Sequence, residues 1–243
     1  MFWYAVGLIM TTISNNLQGV HARIVTACSR ALRPSHSVDL LAVSKTWGPE
    51  AVREAFAAGQ TRFGENYVQE AVEKIAALQD LPLEWHCIGP IQSNKTALVA
   101  AHFDWVHSID RLKIAQRLND QRPVGLPPLQ VCLQINVDGG ATKSGAPPAQ
   151  ALELATQVAA LPRLCLRGLM VIPEPVEDYA GQLAVFAQAK ALFDHIAAAA
   201  LPGAEHFDTL SMGMTADLEA AVAAGSSMVR VGTAIFGGRN HRI

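Results

Sequence analysis

The feature that most constrains this chain is an eightfold switch between short apolar runs and longer amphipathic, alanine-rich runs. The apolar runs lie at 39–44, 61–65, 83–89, 104–109, 129–137, 166–172, 207–212 and 227–232. Each has strand length and is followed by a helix pattern, which is the signature of parallel β-α units. PEAVREAFAAG opens with Pro49 in its first turn and closes on Gly59, a start and a stop signal. YVQEAVEKIAALQ places Val68, Val72, Ile75 and Leu78 on one stripe. Asp110 stands before RLKIAQRLNDQ as an N-cap. Eight such units are what a closed (β/α)8 TIM barrel requires. The rival open sheet would carry a glycine-rich turn after its first strand, and AVSKTWGPE is no G-x-G-x-x-G. VHARIVTACSRAL, before residue 39, predicts an extra N-terminal helix over the bottom or side of the barrel. The Pro-rich stretches 120–128 and 172–178 read as loops, so residues 10–243 form one expected domain. The apolar residues 1–9 read as an extension outside it, with the functional start near Met10; a non-cleaved membrane anchor is the alternative.

Composition narrows the function classes. A net charge of −2 over 243 residues, with no Lys/Arg run, gives none of the basic field that nucleic-acid binding needs. Cys28, Cys87, Cys132 and Cys165 are far apart, without metal-ligand or disulfide-framework spacing. Cys87 and Cys132 lie in apolar runs and read as core. No nucleic-acid, membrane or metal role is expected, and the cytoplasm is the expected compartment. His86 and His107 fall in the third and fourth strands and are placed to reach the barrel mouth. Glu65 ends the second strand with no partner evident.

In a barrel the chemistry gathers where strands exit at their C-terminal ends. Of the six lysines, only Lys45 ends an apolar strand. Partial desolvation there lowers an amine's pKa and frees it for Schiff-base formation; an ordinary lysine snorkelling to solvent is the other reading. SMGMTAD and RVGTAIFGG each join a strand exit to small residues and a helix start. Their backbone N–H groups, with Ser211, Gly213, Gly232 and Thr233, suit a phosphate. Alternation along SMVRVG places Arg230 opposite Val229 and Val231, where it must pair with a carboxylate or a ligand. These three features suit a phosphorylated ligand. A sugar-phosphate aldolase accommodates them as well as a cofactor protein does.

The segments AVSKT, FGENYVQE, WHCIGPIQSNK, HSID, INVDGGATKSG, LRGLMVIP, LSMGMTAD and MVRVGTAIFGG, in this order, closely resemble those of the pyridoxal phosphate homeostasis proteins. The resemblance runs from about residue 38 to residue 238. It implies a barrel like the N-terminal domain of alanine racemase, with pyridoxal 5′-phosphate (PLP) carried as a Schiff base on Lys45. It implies that Ser211, Gly232 and Thr233 hold the phosphate, that Arg230 faces the pyridine nitrogen and that Asn66 lies near the ring. Thr215 stands where a serine is common. The implied role is to buffer or deliver PLP, with effects on amino-acid and keto-acid balance, and PLP-dependent apo-enzymes are the implied recipients.

A cationic Arg230 at a pyridine nitrogen opposes its protonation and weakens the ring as an electron sink. Racemisation also needs an acid/base on each face. The chain has three tyrosines, Tyr4, Tyr67 and Tyr179, and no residues for a second domain. No catalytic residue is therefore assigned. A monomeric carrier is expected, and a weak amino-acid racemase is the alternative.

Overall fold

The computed structural model describes residues 3–139 and 144–238, with side chains from Thr12 onward. Eight strands, all parallel, close into one barrel in chain order. They are β1 (Asp39–Val43), β2 (Arg62–Glu65), β3 (Glu84–Cys87), β4 (Trp105–Ile109), β5 (Leu129–Gln134), β6 (Leu164–Met170), β7 (Thr209–Ser211) and β8 (Met228–Val231). The helices are α1 (Trp3–Arg30), α2 (Pro49–Ala57), α3 (Val68–Ala77), α4 (Thr96–His102), α5 (Leu112–Gln121), α6 (Ala151–Ala159), α7 (Tyr179–Ala198), α8 (Leu218–Ala223) and α9 (Thr233–Phe236). All eight expected strands are present, and the closed TIM barrel is the fold.

Two local expectations change. Asp110 does not cap α5: Arg111 occupies the N-cap position, and the Asp110 carboxylate is spent on the Arg111 guanidinium at 2.7 Å. The α3 stripe turns further toward the barrel than its hydrophobic pattern indicates. Ala71 and Lys74 are its buried positions, while Val68, Val72 and Ile75 are half-buried.

The strands show why a barrel forms. Leu40, Ala42, Val229 and Val231 point outward into the main apolar core beneath the helices. Their neighbours Asp39, Leu41, Val43, Met228 and Arg230 have the opposite parity and face the interior. Asp39 and Met228 border a cleft of about 870 Å³ at the strand starts, whereas Val43 and Arg230 border one of about 360 Å³ at the strand exits.

Helix α1 lies on the side of the barrel. Ile13, Leu17, Val20, Ile24 and Ala27 form a buried stripe at spacings of three and four, directed at α2, α8 and α9. Its polar edge fixes the strand-exit face. Arg23 pairs with Glu219 at 2.8 Å and donates to the Thr215 carbonyl at 2.8 Å, and Asn16 donates to the Ile235 carbonyl at 2.9 Å. The helix backbone is continuous from Trp3 through Met10, and the side chains of residues 1–9 lie outside those described. No helix among the described residues is long and apolar enough to cross a membrane.

Because α1 completes the outer layer beside the last two strand exits, truncating its stripe should destabilise the whole barrel. Leu17 is 1% exposed. Leu17→Ala should lower unfolding stability by about 3 kcal/mol, read as a reduced midpoint at unchanged slope in urea.

Candidate functional site

Lys45 is positioned by the backbone on either side of it. Ser44, the preceding residue, is wholly buried; its N–H donates to the Gly64 carbonyl at 3.0 Å, and its carbonyl accepts from Trp47 N–H at 3.0 Å. The same carbonyl accepts from Lys74 Nζ at 2.9 Å, and the Ser44 hydroxyl donates to Glu65 Oε1 at 2.6 Å. Thr46, the following residue, has φ of 68°, a left-handed conformation unusual for a β-branched side chain. Its N–H donates to Glu70 Oε1 at 2.7 Å. Lys45 therefore sits on a turn clamped on both sides, with its own side chain half-buried and bordering the strand-exit cleft.

The clamp is a buried ion cluster. Lys74 Nζ lies 2.6 Å from Glu65 Oε1 and 3.3 Å from Glu70 Oε1, and the Lys74 and Glu65 side chains are 3% and 0% exposed. Burial pushes Glu65 above the usual carboxylate range; Lys74 and the Ser44 hydroxyl pull it back, and Glu70 pushes the same way as burial. Glu65 thus has its partner, nine residues on, and the buried lysine among the described residues is one that reads as an ordinary helix residue.

The cleft gathers Lys45, Asn66, Arg230, Gly232 and Thr233, together with Thr215. Asn66 contributes a buried Oδ1 with no hydrogen-bond partner among the described residues. The turn at Gly232 begins α9, and the first N–H groups of a helix have no partner within it. A side chain at Gly232 would crowd the Val43 carbonyl at 3.1 Å. Arg230 is 3% exposed and committed on one side: Nη1 donates to the Ser211 carbonyl and hydroxyl, both at 2.8 Å, and Nη2 to the Val171 carbonyl at 2.9 Å. Burial lowers its pKa to about 10, so it remains a cation at neutral pH.

Ser211 and Gly213 do not border this cleft. The Ser211 side chain has interior parity and is wholly buried among His107 and Arg230. Gly213, with φ of 95°, is packed so closely on α8 that a Cβ would lie 2.4 Å from Ala221 Cβ. It shapes the turn that brings Thr215 to the cleft. His86 and His107 are also placed differently from expectation. Both are wholly buried in the barrel, with His86 Nδ1 2.9 Å from His107 Nε2. A Ser–His–His–Glu sequence of contacts exists here, but Ser211 has no solvent access and already accepts from Arg230, so it is no nucleophile.

The larger cleft at the strand starts is built from satisfied charges. Arg62 pairs with Asp39 and Glu84, Arg167 pairs with Asp208 at 2.7 Å and Arg122 donates to three carbonyls. Among the described residues no group of His, Cys, Asp and Glu is arranged to hold a metal ion. The buried Cys87 and Cys132 thiols are pushed up to about 12 by burial, consistent with core packing.

Residues 16–240 match the family model for the alanine racemase N-terminal domain. The chain is 56% identical over 232 residues to the pyridoxal phosphate homeostasis protein of Pseudomonas aeruginosa, covering 96% of this chain and 98% of that one. This chain belongs to that family. Among solved structures, PipY of Synechococcus elongatus with PLP bound is 40% identical, with a TM-score of 0.79 over 93% of this chain and 100% of the other. Alanine racemase of Corynebacterium glutamicum, at 18% identity and a TM-score of 0.66, shares the barrel over 95% of this chain and 62% of its own length.

The cluster beneath Lys45 makes a test of the site's support. Lys74→Met leaves Glu65 buried without its counter-charge and should cost about 3 to 5 kcal/mol at pH 8. A carboxyl whose folded pKa is raised favours folding in acid and loses that contribution as pH rises through the folded value. Without Lys74, Glu65 should be pushed higher still, so the deficit should shrink toward pH 5. Urea titrations at both pH values measure it.

Proposed function

We propose that this chain binds PLP in the strand-exit cleft, covalently through Lys45, and that its role is to hold and hand over the cofactor within PLP homeostasis. The observation that carries the reading is the convergence on one cleft of a half-buried strand-end amine and the Gly232–Thr233 turn. A relative from P. aeruginosa carries the homeostasis name, and PipY has been seen with PLP bound.

The donor set fits the group. When bound, PLP supplies an aldehyde carbon for an amine and a ring that withdraws electrons. Lys45 Nζ is the amine that would hold the carbon. The backbone N–H groups at Gly232 and Thr233, the Thr233 hydroxyl and the neighbouring Thr215 would hold the phosphate. The orphaned Asn66 Oδ1 is left for a donor that the described residues do not provide. In this reading Ser211 supports Arg230, and Gly213 shapes the turn.

The same cleft argues for a carrier over a racemase. Its titratable lining side chains are Lys45 and Arg230 alone, with no carboxylate, histidine, cysteine or tyrosine among the described residues that border it. Tyr67 and Tyr179 are both exposed and border no part of it. Among the described residues that border the cleft, a proton taken from one face of a substrate would find no second group to return it on the other. A guanidinium in place of a carboxylate also opposes protonation of a ring nitrogen. We take the carrier to be cytoplasmic and monomeric, with residues 10–243 as its one domain and PLP-dependent apo-enzymes as recipients.

Purified protein mixed with PLP should develop the visible absorbance of a lysine-bound cofactor, and Lys45→Ala should lose it. Retention of the band in Lys45→Ala would overturn the assignment of the amine. Loaded wild-type protein incubated with amino acids in deuterated water should leave their α-positions unexchanged beyond the rate of free PLP. Exchange at a catalytic rate would establish a racemase-like enzyme.

A further inference from the structure

Between the two clefts, the barrel interior holds an unbroken row of polar groups where apolar branched side chains are usual. Arg230 Nη1 donates to Ser211 Oγ at 2.8 Å, and Ser211 Oγ lies 2.9 Å from His107 Nδ1. His107 Nε2 lies 2.9 Å from His86 Nδ1, and His86 Nε2 lies 2.8 Å from Glu84 Oε1. Glu84 is the first residue of β3 and borders the strand-start cleft, whereas Arg230 borders the strand-exit cleft. The row therefore spans the barrel from one face to the other.

The direction of every bond in the row is fixed by its ends. A guanidinium only donates, and a carboxylate only accepts. Burial holds His107 well below the usual imidazole range, with the charges of His86 and Arg230 acting the same way; burial also lowers His86, against the pull of Glu84. Both rings are then neutral, with one donor and one acceptor each. His86 must carry its proton on Nε2 to meet Glu84, leaving Nδ1 to accept from His107 Nε2–H. His107 Nδ1 must accept in turn, so the Ser211 hydroxyl donates to it and receives from Arg230. No other assignment satisfies all four contacts with neutral rings. Trp105 stacks on His86 at 5.2 Å between centroids and excludes water from its face.

We propose that Ser211, His107, His86 and Glu84 are positioning residues that form a one-way hydrogen-bond chain orienting Arg230 toward the ligand cleft, anchored by the Glu84 carboxylate at the opposite end of the barrel. This rests on the cofactor reading above. Such a chain stiffens as its members polarise one another, so a change at its anchor reaches Arg230 although Glu84 borders only the far cleft. Without it, the guanidinium would keep its two carbonyl partners but lose the contact that selects its rotamer. Arg62 and Asp39 flank Glu84 at the strand starts, and Arg62 remains paired with Asp39 if Glu84 loses its charge.

Two measurements on the full chain test this. In cofactor-free protein labelled with 15N-histidine, His86 and His107 should both give the signals of the neutral Nε2–H tautomer. An imidazolium or an Nδ1–H tautomer at either ring would overturn the chain. PLP titration, followed by the visible band, supplies the second. Ser211→Ala should weaken binding roughly tenfold. Glu84→Gln keeps an oxygen for His86 and removes only the charge, and should weaken it roughly threefold. The double variant should match Ser211→Ala within about twofold, since the anchor no longer reaches Arg230. Multiplying losses, or wild-type affinity in Glu84→Gln, would overturn the proposal while leaving the carrier reading intact. A wild-type protein that gives no band overturns the carrier reading, and the chain's role toward a cofactor with it, whatever the tautomers.

Discussion

A guanidinium buried inside a barrel has to be satisfied from the barrel itself, and Arg230 sets much of this interior by that requirement. Its Nη atoms take the carbonyls of Ser211 and Val171 and the Ser211 hydroxyl. Those acceptors belong to β7 and to the residue just past β6, so the arginine ties two neighbouring strand exits to its own. A hydroxyl that accepts from a cation must donate elsewhere, which calls for an acceptor on β4. His107 meets that need only if it stays neutral and passes its own proton on. The histidine pair, the stacked Trp105 and the carboxylate on β3 follow from one buried charge. An apolar residue at 230 would have allowed the ordinary layered core of branched side chains. The polar interior fits a cation held at the mouth.

The other buried charge, Lys74, works on the opposite side of the same cleft by a different logic. It does not reach the cleft. It fixes the carbonyl of Ser44 and neutralises Glu65, while Glu70 holds the strained Thr46. The two lysines near the end of β1 therefore divide the work: one is spent on ion pairs, and the other is presented half-buried to the cleft. A strand-end lysine on an unsupported loop would pay rotamer entropy each time it met a ligand. Here much of the backbone part of that ordering is already met in the folded chain.

The barrel was legible because its period is long and repeated. Eight strand runs of opposite-facing residues leave little else to build, and the parity of Arg230 relative to Val229 and Val231 holds in the structure. Lys45 and the Gly232–Thr233 turn were legible because strand exits are where a barrel keeps its chemistry. The position of Ser211 has a physical reason: an exit residue points either along the mouth or down into the barrel, and parity with its partners across the sheet decides which. Pairing of Ser211 with Met228 and Met170 is information that a single strand does not carry. Lys74 was missed because its pattern suits a solvated helix face equally well. The Glu70–Lys74 spacing of four was a readable clue. Its coupling to Glu65 was not, since it depends on how α3 rolls against β2. The histidines were placed in the right strands, but depth along a strand is set by barrel shear and not by local pattern.

Membership of the homeostasis family and likeness to alanine racemase pull the functional reading in different directions, and the proposed carrier role rests on what lines the cleft. The shared barrel shows the fold alone. Catalysis at a bound ring needs a proton acceptor and donor within reach, and several titratable groups among the described residues are committed to other contacts. His107 and His86 are consumed in holding Arg230, Glu65 is consumed by Lys74, and Glu70 by Thr46. Buried titratable side chains that fix the position of one amine and one guanidinium suit the proposed role of retention. In that reading, release comes through the mouth. There Thr46, Thr233 and Met214 are exposed, above the buried network. If Lys45 and the Gly232–Thr233 turn hold PLP as proposed, a recipient approaching that rim would meet a ligand in a geometry suited to transfer.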